Sequence, residues 1–128
     1  MSPLPDTLKV GVESIDRRHE EFWELYEALK ASSNEEFASL FEGVIRHTQG
    51  HFAEEEADMA AIEYANKSEH EQEHRKALEE MNYFSEKAKC GKLMFAKAYV
   101  NERLRDWFSQ HLLNMDSDLA RVITLSRQ

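Results

Sequence analysis

The chain has 128 residues, 41% apolar and 32% charged, with a formal net charge of −9. That size suits one domain with its own core, and the acidic balance argues against a phosphate-binding face for nucleic acid or an anionic membrane surface. No apolar run reaches the roughly 20 residues that span a bilayer, the N-terminus lacks a basic-then-apolar leader, and the lone Cys90 has no partner for an internal disulfide, so a cytoplasmic protein is expected.

Both prolines lie in the first five residues, and glycine is scarce. Nothing from residue 6 onward therefore forbids long helices. Residues 1–14 read as an extended arm. A first helix is predicted from about residue 15, with Ile15, Phe22, Trp23, Tyr26 and Leu29 at helical spacing. "SSN" at 32–34 ends it, and Asn34 reads as the N-cap of a second helix. That helix is predicted to run to about Ile62 through Phe37, Leu40, Phe41, Val44, Ile45 and Phe52. After the loop "YANK", Ser68 and Glu71 form the pattern of a capping box. The third helix then runs to about Lys89 through Leu78, Met81 and Phe84, and "CGK" at 90–92 is a turn. The fourth carries Leu93, Val100, Leu104, Trp107, Phe108 and Leu112, and residues 117–126 suggest a short further helix. The expected fold is all-α, an up-down-up-down antiparallel four-helix bundle with an extended N-terminal arm.

Six histidines, His19, His47, His51, His70, His74 and His111, distribute so that every predicted helix carries at least one. A helix turns about 100° per residue, so residues four apart stay about 40° from alignment. His70 and His74 share a face, as do His47 and His51, and His51 and Glu55. One inward histidine is ordinarily a hydrogen-bonded core residue. Five on the inner faces of four helices each need partners for two ring nitrogens, and the sequence offers few buried Ser or Asn to supply them. A shared metal satisfies them together. Cys90 sits in a turn, which sets aside a thiolate zinc site. Imidazoles with a few carboxylates suit iron, zinc or copper, and more than four ligands suggests two ions bridged by carboxylates. The ferritin-type di-iron bundles use two Glu-x-x-His motifs, whereas this chain has one match, Glu71–His74. Within "HTQGHFAEEEADM", residues 47–59, spacing alone leaves His47 and His51 equal and Glu54, Glu55 and Glu56 open.

The segments "VGVESIDRRHEEF", "HFAEEEADM", "HEQEH" and "WFSQHLLNMD" occur in this order. Together they resemble the hemerythrin family, specifically the single-domain bacteriohemerythrins, over about residues 8–120. The resemblance implies one hemerythrin-like domain over residues 1–128 with seven ligands. His70, His74 and His111 would hold one iron, His19 and His51 the other, and Glu55 and Asp116 would bridge them. Glu54 and Glu56 then read as solvated flanks of Glu55. Asp116 follows His111 by five residues, about 140° away on a regular helix, so a π-type widening is expected between them. The implied cofactor is two iron ions bridged by an oxo or hydroxo group and the two carboxylates. One coordination position stays open, on the two-histidine iron, and dioxygen would fill it.

The implied function is reversible dioxygen binding for storage, delivery or sensing, without catalysis. The alternatives are a di-iron peroxidase or nitric-oxide-handling enzyme, or an iron-buffering or zinc-binding bundle. Trp107, Phe108 and Leu112, all near His111, are expected to wall the oxygen pocket. His47 is not a family ligand. It is expected to point inward, hydrogen-bonding beside the site or serving as a proton donor. The family often has a tryptophan at the position of Leu4. The apolar faces of Trp23 and Phe84 are candidate contacts for a homo-oligomer or another protein partner.

Overall fold

A computed structural model describes residues 4–127. Helix α1 spans Glu13–Lys30. The chain enters it through a 3₁₀ turn at Asp6–Leu8 rather than as an extended arm; residues 1–3 of that predicted arm lie outside the described residues. Gly11 takes φ +88°, and the Val10 and Gly11 amides donate to the Asp16 carboxylate at 2.8 and 3.1 Å. The first-turn carboxylate thus satisfies the amides of the two residues that lead into the helix and fixes the entry of the chain.

Helix α2 spans Asn34–Ala61, and its N-cap is Ser33 rather than Asn34. Ser33 Oγ accepts from the Glu36 amide at 3.3 Å and donates to the Glu36 carboxylate at 2.9 Å. A hydroxyl three residues ahead of a glutamate makes the capping pair here. The helix closes with Glu63 at φ 51° and the Tyr64 amide donating to Met59 O at 3.0 Å. That is a glycine position occupied by glutamate. Helix α3 spans Lys67–Lys89. Ser68 already lies inside it, no side chain caps it, and Glu71 pairs with Lys67, so the expected Ser68–Glu71 box does not form. At its other end Gly91, at φ +85°, lets the Lys92 amide reach Lys87 O at 2.9 Å.

The fourth helix, α4, is longer than the periodicity suggests. α-Helical Leu93–Ala98 passes into a π-helical stretch at Tyr99–Leu104, then α-helical Arg105–His111, a second π stretch at Leu112–Asp116, and α-helical Ser117–Ser126. The junction residues Tyr99, Arg105, Leu112 and Ser117 all keep right-handed helical dihedrals, so residues 117–126 continue α4 and are no separate helix. The first π stretch has no counterpart in the sequence reading.

Paired residues fix the topology. Arg18 meets Asp58 while Glu21 meets His51, so α1 and α2 are antiparallel. Glu42 meets Lys89 while Glu56 meets His74, which reverses α3 against α2. His70 meets His111 while Glu80 meets Arg103, which reverses α4 against α3. Tyr26 donates to Val100 O while His19 meets Asp116, closing α4 back onto α1. Two apolar clusters fill the bundle. The larger contains Phe22, Tyr26, Phe37, Phe41, Met81 and Phe108, and Leu4 is buried within it. The smaller contains Val12, Ile15, Met59, Tyr64, Leu119 and Ile123. On α1, α2 and α4 the buried polar candidates lie about where the chain passes from one cluster to the other, and on α3 His70 and His74 lie between Tyr64, in the preceding loop, and Ala77. Phe84, expected at an interface, is buried in the larger cluster, and Trp23 packs against it. Among the described residues no helix is long and apolar enough to cross a membrane.

Candidate metal centre

Between the two apolar clusters lies a layer of charge. His19 comes from α1, Glu55 from α2, His70 and His74 from α3, and His111 and Asp116 from α4, and all six are buried. His70 Nε2 lies 2.7 Å from Glu55 Oε1, 3.0 Å from Asp116 Oδ1 and 3.2 Å from His111 Nε2. His74 Nε2 is 3.0 Å from Glu55 Oε1, and His19 Nε2 is 2.8 Å from Asp116 Oδ2.

The second π stretch of α4 sets this geometry. Bonds from residue i to i+5 wind fewer degrees per residue, so residues five apart share a face. His111 and Asp116 accordingly both point inward, with His111 Nε2 3.3 Å from Asp116 Oδ1.

Proton counting decides what such a cluster is built to hold. A neutral imidazole donates from one nitrogen only. His70 Nε2 faces two carboxylate oxygens and a second imidazole nitrogen at once, and one N–H cannot serve them. Asp116 Oδ1 lies close to His70 and His111 yet receives no well-aligned hydrogen bond from either. Nitrogen lone pairs and carboxylate oxygens thus converge without enough protons between them, which is the donor set of a transition-metal site. The ligand atoms fall into two groups, Glu55 with His70, His74 and His111, and His19 with Glu55 and Asp116. Glu55 belongs to both. Asp116 turns Oδ1 toward His70 and His111 and Oδ2 toward His19.

Electrostatics without a metal follow from the same crowding. Burial and the charge of Asp116 push Glu55 up, but hydrogen bonds from His111, His70 and His74 outweigh them and hold its carboxyl at about 2. Burial also opposes ionisation of Asp116, yet the His111 charge and hydrogen bonds from His111, His19 and His70 keep it well below the usual carboxylate range. Burial pushes the imidazoles down, and the two carboxylates raise His70 to about 9 and His111 to about 10.

Two supports were not foreseen. Glu56, expected to be a solvated flank, lies 2.9 Å from His74 Nδ1. It fixes the ring so that Nε2 faces inward, the usual role of a carboxylate behind a metal-binding histidine. The signal was available in principle, because an inward histidine has an outer nitrogen that needs a partner. Phe52 stacks on the same ring, centroids 3.8 Å apart. Glu54 does behave as a flank, largely exposed and 3.7 Å from Arg18 Nε. Arg18, buried, donates to Ser14 O and Asp58 and ties α1 to α2 beside the cluster.

His51 is not brought into the cluster. Its Nε2 lies 2.8 Å from Glu21 Oε2, while the residue lines the cavity beside the cluster. His47 does not point inward: it is exposed, one turn from His51 with ring centroids 6.0 Å apart. Thr48 takes the buried place, with its hydroxyl bonded to Val44 O. The cavity is small, about 30 Å³, and its walls include Phe22, Phe52, Trp107, Phe108 and Leu112. Trp107 stacks on His111 at 4.7 Å, and Phe108 packs edge-on to His19.

Comparison with known proteins agrees with this geometry. Residues 10–123 match the family model described as the hemerythrin HHE cation binding domain. The chain is also 32% identical, over 111 residues, to a bacteriohemerythrin of Ralstonia nicotianae, an alignment covering 87% of this chain and 80% of that protein. With its helical bundle and buried histidine–carboxylate layer, the chain belongs to the hemerythrin family.

Proposed function

We propose that the protein binds dioxygen reversibly at a di-iron centre and is a carrier, store or sensor rather than an enzyme. The observation that carries this reading is a small, aromatic-walled cavity placed directly against the buried histidine–carboxylate layer. A cavity of about 30 Å³ has room for one or two water-sized molecules. A diatomic gas fits such a space.

In this reading His70, His74 and His111 would hold one iron and His19 the other, with Glu55 and Asp116 available to both. The membership of Glu55 in both donor groups, and the division of the Asp116 oxygens, support two ions rather than one. His51, which lines the cavity beside the cluster, would complete the two-histidine side on leaving Glu21. When bound, the iron pair supplies a centre that exchanges electrons reversibly with dioxygen.

The chain's own residues keep that exchange reversible by withholding protons and water. Thr48 lines the cavity, but its hydroxyl is committed to Val44 O. Arg18 lines it too, anchored to Ser14 O and Asp58, and a guanidinium does not give up its proton. Phe22, Phe108 and Leu112 exclude water from the remaining wall. The peroxidase reading made His47 the proton donor, and His47 lies outside this cavity.

The test is an anaerobic-to-aerobic spectral titration of the reduced protein with an iron count. The expected result is two irons per chain and a visible charge-transfer band that appears with air and disappears on removing it. Direct conversion to the oxidised form with no transient band sinks the carrier reading, and one zinc per chain sinks the di-iron reading.

A further inference from the structure

Outside the buried layer the described residues hold one other group of histidine and carboxylate ligands close enough for a metal: Glu21, His47 and His51. His47 and His51 stand one turn apart on α2, the spacing by which two helical histidines grip one ion. Glu21 faces them from α1, its Oε2 2.8 Å from His51 Nε2. The ligand atoms lie within 4.8 Å of one another. Two ligands of one ion at about 2.0–2.2 Å lie at most about 4.4 Å apart. Small rotations therefore close the set, and Glu21 and His47 are exposed and can make them. Two imidazoles and one carboxylate suit a divalent first-row transition ion, with water completing the shell.

The placement of this trio says what it is for. It lies along an open surface groove that also includes Gly50 and Glu54. A Cβ at Gly50, the residue before His51, would meet nothing within 4 Å, so the groove is open there. Of the residues lining this groove, His51 alone also lines the small cavity against the buried layer. One imidazole therefore stands in the partition between outside and inside.

We infer that Glu21, His47 and His51 form a surface capture site for a divalent transition ion, with His51 as the shared ligand through which the ion passes to the buried centre. This rests on the reading of the buried layer as a metal centre. Outside, the ion has three protein ligands and water. Inside, it meets more imidazoles and two ionised carboxylates, so transfer runs inward. The role also accounts for His47, which the buried centre does not need.

The test mixes the metal-free 128-residue protein with Co²⁺ in a stopped-flow instrument. Trp107, stacked on His111, reports filling of the buried centre by its fluorescence. In the native sequence the rate should level off as Co²⁺ rises, because the capture site saturates. In Glu21→Gln and His47→Gln the rate at low Co²⁺ should fall at least about tenfold, the lower end of what losing a supporting group costs a metal site. It should also become linear in Co²⁺, while the final cobalt count stays unchanged. Glu24→Gln, an exposed α1 change of equal charge at a residue that does not line the groove, should match the native rate. Equal rates in all four proteins, or equal slowing by Glu24→Gln, overturn the capture site. Failure of the buried centre has a different signature: His70→Ala then binds as much cobalt as the native chain, and the single bound ion is lost in His47→Gln.

Discussion

Two layers of the same four helices behave oppositely. The aromatic layer, with Phe37, Phe41 and Met81 each at most 1% exposed, matches apolar groups to apolar groups and needs nothing added. The neighbouring layer places His19, Glu55, His70, His74, His111 and Asp116 out of water with too few protons to satisfy them. Burying polar groups without full partnering is costly, and one layer must carry that cost for the other. A small bundle can hold a reactive polar centre in its middle only if the apolar layers around it are close-packed. Stability and function are thus assigned to different floors of one building.

The sharpest way to break that division is to damage the aromatic layer. Phe41→Ala should lower unfolding free energy by about 3–5 kcal/mol, measured by urea denaturation, with equal loss in metal-free and metal-loaded protein. A loss confined to the loaded form would show that the two layers are not independent.

Metal removal comes next and acts on the other layer. At a free metal concentration a hundredfold to a thousandfold above Kd, bound metal adds about 3–4 kcal/mol, and a chelator should remove it. The increment should persist in Phe41→Ala and vanish in Glu55→Ala. The chelated protein should also gain a pH dependence. His70 and His111 are raised from 6.5 to about 9 and 10, so their contribution is complete below about 6.5 and is lost as pH rises through 9 to 10. Glu55 is lowered from 4.5 to about 2, so its contribution is present above about 4.5 and is lost as pH falls toward 2. Denaturation midpoints across pH should therefore fall at both extremes, and the alkaline loss should be absent when metal holds the imidazoles neutral.

Smaller effects sharpen the comparison. Glu56→Gln should weaken metal affinity about 10–100-fold with little change in metal-free stability, read by competition with a chromophoric chelator. Glu63→Gly should raise stability by about 0.5–1 kcal/mol in both forms, because it relieves a left-handed glutamate that is no part of the cluster. No gain would mean that Glu63 is not strained.

The sequence reading reached the bundle because helical periodicity and short loops are local signals. It anticipated a widened turn before Asp116 because the family resemblance asks His111 and Asp116 to share a face, and five residues do not bring them there on a regular helix. It could not place His47: a residue 40° from His51 sits at the edge of the inward face, and the packing of α1 decides which side of the edge it falls on. Glu56 was misjudged for the converse reason, since a residue beside an inward face still reaches the outer nitrogen of a histidine on the next helix. The stretch at Tyr99–Leu104 leaves no pattern, because its residues are as compatible with regular helix as with the wider one. Nor could the seam between residues 112 and 117 be recognised as continuous helix, since a widened turn and a helix end both interrupt the apolar repeat.

That seam also bears on how the chain tolerates changes in length. A π turn stores one residue more than the regular helix on either side, without altering which face the downstream segment presents. Leu119, Ala120 and Ile123 remain packed with Ile15 and Met59 past the widening. A deletion of one residue within 113–115 would return the stored residue and leave the bundle's perimeter intact. It would change only the depth at which one carboxylate enters the centre. The fourth helix therefore carries a length adjustment whose effect is confined to the cluster, and a shortened chain should fold normally yet bind metal differently.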